Sequence, residues 1–344
     1  MSALLRTPEL EKYELLEEIG HGGMATVYRA LDRRLGREVA VKLIHRHLRD
    51  NEEAAARFLR EAKAIAKLRH PNIVDVYDIS AEGESDSYFV VELIRGVTLR
   101  QLLKQQKRLE PELAAVVALQ VAAALEHAHR HGVVHRDVKP ENVLIELPAA
   151  VKTDPEQGPA RVKVKLTDFG IAKLLDAQGV TSTGQVLGSP AHMAPEQIEG
   201  GDVHPRTDVF GLGVLLYECM VGNLPFEGAH PAQVLRKVLD GEFVAPDSAE
   251  PRVGAAYSRI VSRALSRDPL ARQGSAHELA DALSAELTRL GFLDVQGILD
   301  WVAPSAEYAG FNQRIVPALV RAGLRGRVER RMAQAAEDFN RALA

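Results

Sequence analysis

His135-Arg136-Asp137-Val138-Lys139-Pro140-Glu141-Asn142 is followed, 26 residues after its Asn, by Asp168-Phe169-Gly170, which sets two carboxylates and an amide in a fixed order along the chain. In an H-R-D-x-x-x-x-N segment the Asp can accept the proton of an attacking hydroxyl, while the Asn and the Asp of a later D-F-G hold metal ions that neutralise phosphates. Either segment alone is weak evidence; the ordered pair is strong.

Upstream, Glu18-Ile19-Gly20-His21-Gly22-Gly23-Met24-Ala25-Thr26-Val27-Tyr28 is a glycine-rich turn between apolar, β-branched stretches. Backbone amides in such a turn can approach a triphosphate without interference from a Cβ. Twenty-two residues after Gly20 comes Lys42, in Val39-Ala40-Val41-Lys42, and downstream stand Ala194-Pro195-Glu196 and the helix-opening Asp208. With these in order, the chain resembles the bacterial branch of the eukaryotic-like (Hanks-type) serine/threonine protein kinases, whose glycine loop reads G-x-G-G-M-A-x-V-Y as here. The resemblance covers roughly residues 11 to 288.

The resemblance implies an α+β, bilobal protein kinase fold with a small β-rich N-lobe, a larger helical C-lobe and a helical C-terminal extension. Its boundaries fall as follows: a loose arm over 1–10, N-lobe 11–95, C-lobe 96–288 with an insertion at about 146–160 and an activation segment 168–196, and the extension 289–344. It also implies an ATP- and Mg²⁺-dependent enzyme, with Mn²⁺ as an alternative metal, that phosphorylates Ser and Thr of protein substrates and its own activation loop in a signalling role. Residue by residue, Asp137 is the base, and Lys139 contacts the γ-phosphate and marks Ser/Thr rather than tyrosine specificity. Lys42 holds the α/β-phosphates and pairs with Glu61, and Asn142 and Asp168 are the metal ligands. Gly20, His21, Gly22, Gly23, Met24, Ala25, Val27, Ala40, Val91, Glu92, Ile94 and Leu144 surround the nucleotide, with Val91 as a small gatekeeper. Ala25 in place of a third glycine adds only a methyl, and Ser189, where Thr is usual, keeps its hydroxyl.

Regulation is legible too. Arg136 and Lys173 leave two cations near Thr181-Ser182-Thr183-Gly184. Such cations need an anion, and a phosphothreonine supplies about −1.5 to −2 charge with three acceptor oxygens. Thr181 and Thr183 align with the threonines that the family autophosphorylates. The competing readings are a pseudokinase scaffold, which normally loses the lysine or one of the aspartates retained here, and a small-molecule phosphotransferase of the aminoglycoside type, which lacks A-P-E and the long activation loop.

At 344 residues, 46% apolar and 26% charged, the chain can bury a sizeable core or two. Its net charge of −4 gives no strong pull toward nucleic acid or an anionic membrane. The single Cys219 excludes an intrachain disulfide and fits a reducing cytoplasm. No apolar run reaches the ~20 residues of a membrane helix, and residues 1–6 lack a signal-peptide core. The expectation is a soluble cytoplasmic chain, whereas many relatives carry a membrane span after the kinase domain.

Local patterning predicts strands over about 11–45 and a helix from Asp50 to Arg69, with Phe58, Glu61, Ala62 and Ile65 on one face. It predicts a buried strand Tyr88–Ile94 and a helix from Pro111 to His131 ended by Gly132. Pro148, Thr153-Asp154-Pro155, Gly158 and Pro159 mark an inserted loop. Asp208 is expected to anchor the catalytic-loop backbone, and Glu196 to pair with Arg272. Beyond 288 the chain is amphipathic, and its final helix, about Arg327 to Leu343, resembles the second helix of a tetratricopeptide repeat. Such a helix cannot bury its face alone: either it packs on the C-lobe or it begins an array that meets a protein partner. Oligomeric state is left open.

Overall fold

A computed structural model describes residues 10–22, 25–45, 62–80, 87–146, 162–169, 190–293, 338, 341 and 342. The chain divides into two units, one of residues 1–94 with 169–178 and the other of 95–168 with 179–344. The first is a β-sheet lobe and the second a mainly helical lobe, as expected from the bilobal resemblance.

In the N-lobe, β1 (Tyr13–His21), β2 (Ala25–Asp32), β3 (Arg37–Ile44), β4 (Val76–Ile79) and β5 (Tyr88–Val91) form one antiparallel sheet in the order β1-β2-β3-β5-β4. The two-residue period of a strand sends alternate side chains to opposite faces. Val39 and Val41 of β3 join Tyr13, Ala30, Tyr88 and Val90 on one face. Ile44 joins Ala25, Phe89 and Ala62 on the other. Lys42 therefore projects on the Ile44 face, and Ala40 shares it. The β2–β3 turn is fixed by Asp32, whose Oδ1 accepts from the amides of Arg34 and Leu35, and by Gly36 at φ +62°.

Two boundaries differ from the sequence reading. Helical backbone over 62–65 ends there rather than at Arg69. The amides of Lys67 and Leu68 reach back only three residues, to Ala64 and Ile65, and Pro71 disfavours helical backbone at His70. Strand β5 stops at Val91 because the next amide, that of Glu92, turns to the carbonyl of Asp75 at 2.9 Å.

The C-lobe opens with β6 (Gly96–Thr98), which pairs with β7 (Val143–Glu146), itself paired with β8 (Lys163–Leu166). Gly96 is exposed, yet a Cβ there would overlap the carbonyl of Ile145. The helices are α1 (Leu99–Gln106), α2 (Pro111–Arg130), α3 (Pro195–Ile198), α4 (Pro205–Val221), α5 (Pro231–Asp240), α6 (Pro246–Ala249), α7 (Gly254–Ala264) and α8 (Ala276–Leu290). Five of them open on proline, whose missing N–H is no loss in a first turn. Thr98 and Gln101 close a capping box on α1. Packed side by side, α2 and α4 form the centre of the lobe: thirteen residues of α2 and every residue of α4 from Thr207 to Met220 are buried. Cys219 is among them, a free thiol whose pKa burial pushes up. Among the described residues no helix is long and apolar enough to cross a membrane.

The inserted loop, Glu61, most of the activation segment and residues 294–337 lie outside the described residues. Of the final helix, 338, 341 and 342 are helical. Asp338 and Arg341 are buried by contacts with the C-lobe, so of the two arrangements open from sequence, packing on the C-lobe is the one these residues adopt.

Candidate active site

The catalytic loop hangs from one buried carboxylate. Asp208, in the first turn of α4 and 1% exposed, takes the backbone amide of His135 on Oδ2 at 2.8 Å and that of Arg136 on Oδ1 at 2.7 Å. Nε2 of His129, in the last turn of α2, lies 2.7 Å from the same Oδ2. The carbonyl of Arg136 is held by Nε2 of Gln197 on α3 at 2.9 Å. Fixed from both sides, Arg136 adopts φ +67°, a conformation uncommon without a glycine and found where surrounding contacts over-determine the backbone.

His135 ties this loop to the strand that leads to Asp168. Its Nδ1 accepts from the amide of Asp137 at 3.2 Å, which assigns the proton to Nε2, and that nitrogen donates to the carbonyl of Thr167 at 2.9 Å. Burial keeps the ring's pKa below its ordinary value, which favours the neutral tautomer these bonds require. Thr167 in turn donates its amide to the carbonyl of Asn142 at 2.9 Å, so Asp168 follows directly on a residue bonded to Asn142. Asp168 itself sits at φ +60°.

Lys139 and Asn142 both hold the carboxylate of Asp137. Lys139 Nζ lies 2.7 Å from its Oδ2, and Nδ2 of Asn142 donates to the same oxygen at 3.1 Å and to the backbone carbonyl at 2.8 Å. With its amide hydrogens so engaged, Asn142 has an oxygen left for a metal ion. Together with the Asp168 carboxylate this is the hard oxygen set that Mg²⁺ prefers, so the residues present fit that ion.

On the N-lobe, Gly20 and His21 of β1 pair with Val27 and Thr26 of β2, and the amide of Gly22 closes the turn on the carbonyl of Ala25 at 2.9 Å. A Cβ at Gly20 or Gly22 would meet nothing of the chain nearer than 3.7 or 3.6 Å. Packing among the described residues therefore does not require these glycines, and their missing Cβ leaves room for a phosphate to approach the backbone. Lys42 stands between Val27 and Phe89 in register, and Ala40 stands beside Val91. Val27, Val91 and Ile94 are half-buried, as is Leu144 on β7 of the C-lobe. The backbone N–H of Glu92 is taken up by Asp75, so its carbonyl is the group it can offer to an adenine. Gly23, Met24, Glu61, Lys173, Thr181 and Thr183 lie outside the described residues.

A model of the protein kinase domain matches residues 13–283. The chain belongs to the protein kinase family. ATP binding is what membership implies. A probable serine/threonine-protein kinase of Clostridium perfringens is 38% identical over 268 residues, 78% of this chain and 37% of that protein. PrkC of Bacillus subtilis is 36% identical over 270 residues, 78% of this chain and 39% of that one. PknL of Mycobacterium tuberculosis is 37% identical over 274 residues, 80% of this chain and 65% of that one. The match thus spans less than half the length of the first two relatives. The solved structure of Rad53 1–466 in complex with AMP-PNP resembles the chain with a TM-score of 0.63 at 26% identity, covering 79% of this chain and 64% of that one.

Two residues of the kinase domain's loop scaffold have no signal in the sequence taken alone. His129 reads as one more polar residue in the last turn of a helix, and Gln197 as a neighbour of A-P-E. Their partners lie 79 and 61 positions away. Glu196 and Arg272 do pair as expected, with Nη1 and Nη2 at 2.8 and 2.9 Å from the two carboxylate oxygens.

Proposed function

We propose that this chain is a serine/threonine protein kinase that transfers the γ-phosphate of ATP to Ser and Thr hydroxyls of proteins in the cytoplasm, with Mg²⁺ held by Asn142 and Asp168. The observation that carries the reading is the Asp137 carboxylate, held between Lys139 and Asn142 in a loop fastened to Asp208. Phosphoryl transfer asks for positioning and charge neutralisation more than for covalent chemistry. Asp137 orients the attacking hydroxyl and takes its proton, with Lys139 adjacent to balance the charge that builds in transfer. The metal supplies neutralisation of the phosphate oxygens. Lys42 and the glycine loop position the triphosphate, with Glu61 as the proposed partner of Lys42. Phosphate on Thr181 or Thr183, drawn to Arg136 and Lys173, orders the activation segment in this proposal. Asp338 and Arg341 pack on the C-lobe, and the rest of the extension after residue 288 is proposed to meet a protein partner. A nucleotide-binding scaffold without transfer finds no support, since Lys42, Asp137 and Asp168 are all present and the relatives are named kinases.

Purified protein incubated with labelled ATP, Mg²⁺ and a generic protein substrate should label Ser and Thr, and Asp137→Asn and Lys42→Met should not. Equal label in all three proteins would refute the catalytic assignment, and ATP binding without transfer would restore the scaffold reading. Mass spectrometry of the activation segment should find phosphate on Thr181 or Thr183, absent from the Asp137→Asn protein.

A further inference from the structure

Asp338 and Arg341 carry charges near the end of the chain, yet both are buried: Asp338 is 0% and Arg341 7% exposed. Arg341 enters a socket floored by Glu112 in the first turn of α2, where its Nη2 donates to Oε1 at 2.5 Å. Its Nε donates to the backbone carbonyl of Arg252 at 2.8 Å. The guanidinium carbon lies 5.7 Å from the ring centroid of Tyr257 on α7, within reach of a cation–π attraction. One turn before it, Asp338 meets Arg289 fork to fork, Oδ2 on Nη1 at 2.7 Å and Oδ1 on Nη2 at 2.8 Å, while Glu286 holds the other side of Arg289.

The two anchors are not equivalent. Arg289 would keep Glu286 if Asp338 left. Glu112 is 0% exposed, and among the described residues Arg341 is the cation bonded to it. Nearby, burial and the charge of Glu112 raise the pKa of Glu110, and the guanidinium of Arg252 is already engaged by Glu110 and Glu250. Without Arg341 the socket would contain a dry, uncompensated carboxylate, which a fold tolerates badly. A buried acid of this kind makes sense only in a lobe whose cation is always supplied.

We propose that α2, α7 and the Pro251–Val253 turn form a guanidinium socket whose ligand is Arg341 of the chain's own C-terminal segment, the Arg289–Asp338 pair being its second anchor. Asp338 and Arg341 are thereby fixed on the face formed by α2, α7 and α8. This inference stands independently of phosphoryl transfer.

The test uses the full chain. Arg341→Gln should lower the melting temperature by about 5 °C or more, and adding Glu112→Gln should recover most of that loss, because the second change removes the orphaned charge. In a second arm, Arg289→Cys with Asp338→Cys is treated with a short bismaleimide. Cys219 is buried and stays unreactive. A crosslink within one chain supports the socket. A crosslink between two chains would show it filled by a second copy, and a silent Arg341→Gln with no crosslink would show it empty; either result overturns the proposal.

Discussion

Asn142 donates its side-chain amide to Asp137 twice, to the backbone carbonyl at 2.8 Å and to Oδ2 at 3.1 Å, so the residue proposed to hold the metal also aims the residue proposed as base. The two tasks use different ends of one amide group. They can be separated by substitution.

Asn142→Asp keeps an oxygen for the metal but removes both donors and sets a second carboxylate against Asp137. Asn142→Ala removes ligand and donors together. We expect both to lower phosphoryl transfer by about 100-fold or more, the usual scale for a lost general base or its positioning. Only the Ala variant should need more Mg²⁺ for half-maximal rate. Initial rates across a Mg²⁺ titration check this, and an unchanged rate in the Asp variant would show that aiming Asp137 is unimportant.

Asp208→Asn replaces one acceptor oxygen with a donor where the amides of His135 and Arg136 and the ring of His129 converge. The left-handed backbone of Arg136 then loses a hold, and a shift of about 1 Å in a catalytic group costs roughly 100-fold. The expected signature is a fall in kcat with ATP affinity nearly unchanged, measured by steady-state kinetics and nucleotide titration.

Arg272 is 1% exposed and bonds, besides Glu196, the carbonyls of Ser266, Arg206 and Arg267. Arg272→Ala should therefore cost about 3–5 kcal/mol, the range for a buried pair broken on one side. Glu196→Gln, which keeps an acceptor and its contact with Thr207, should cost less. Urea unfolding compares the two, and equal stability with wild type in the Ala variant would show the pair contributes nothing.

Acid should weaken the fold in two stages. Burial alone keeps His135 below its ordinary 6.5, so as pH drops past that value the unfolded chain takes a proton that the folded ring refuses, and stability falls. Burial opposes ionisation of Glu196 and Glu218, but Arg272 and Thr207 for the first, and His192 and Arg100 for the second, outweigh it and hold both below 4.5. Their contribution is present above 4.5 and is lost as pH falls through the lower folded values. Thermal melts at a series of pH values read both stages; a flat profile just below 6.5 would mean that His135 accepts its proton in the folded chain.

The kinase fold and the catalytic loop were legible in sequence because their signals are local. Asp137, Lys139 and Asn142 lie within six residues, and what joins them is a loop short enough to read as a pattern. The anchors were legible only where a motif named them, as at Asp208 and Arg272. His129 and Gln197 meet their partners through tertiary folding alone, and nothing in the neighbouring residues announces it. The end of β5 was misjudged because apolar Ile94 continues the run, while a backbone hydrogen bond from Glu92 to Asp75 decides where the strand stops. The C-terminal residues show the same gap more sharply: nothing near Asp338 and Arg341 in sequence announces the partners 49 and 229 positions away that bury them.

The entry to the C-lobe carries a last consequence, at Gly96. It is exposed and far in sequence from Asp137, Asn142 and Asp168, a position where variation is ordinarily free. Yet any side chain there would force β6 away from the carbonyl of Ile145 on β7. Because β7 starts at Val143, the residue after Asn142, the displacement would run along a single strand to the proposed metal ligand. A substitution scan scored on activity would therefore mark Gly96 as though it belonged to the active site, although the only thing it recognises is the neighbouring strand.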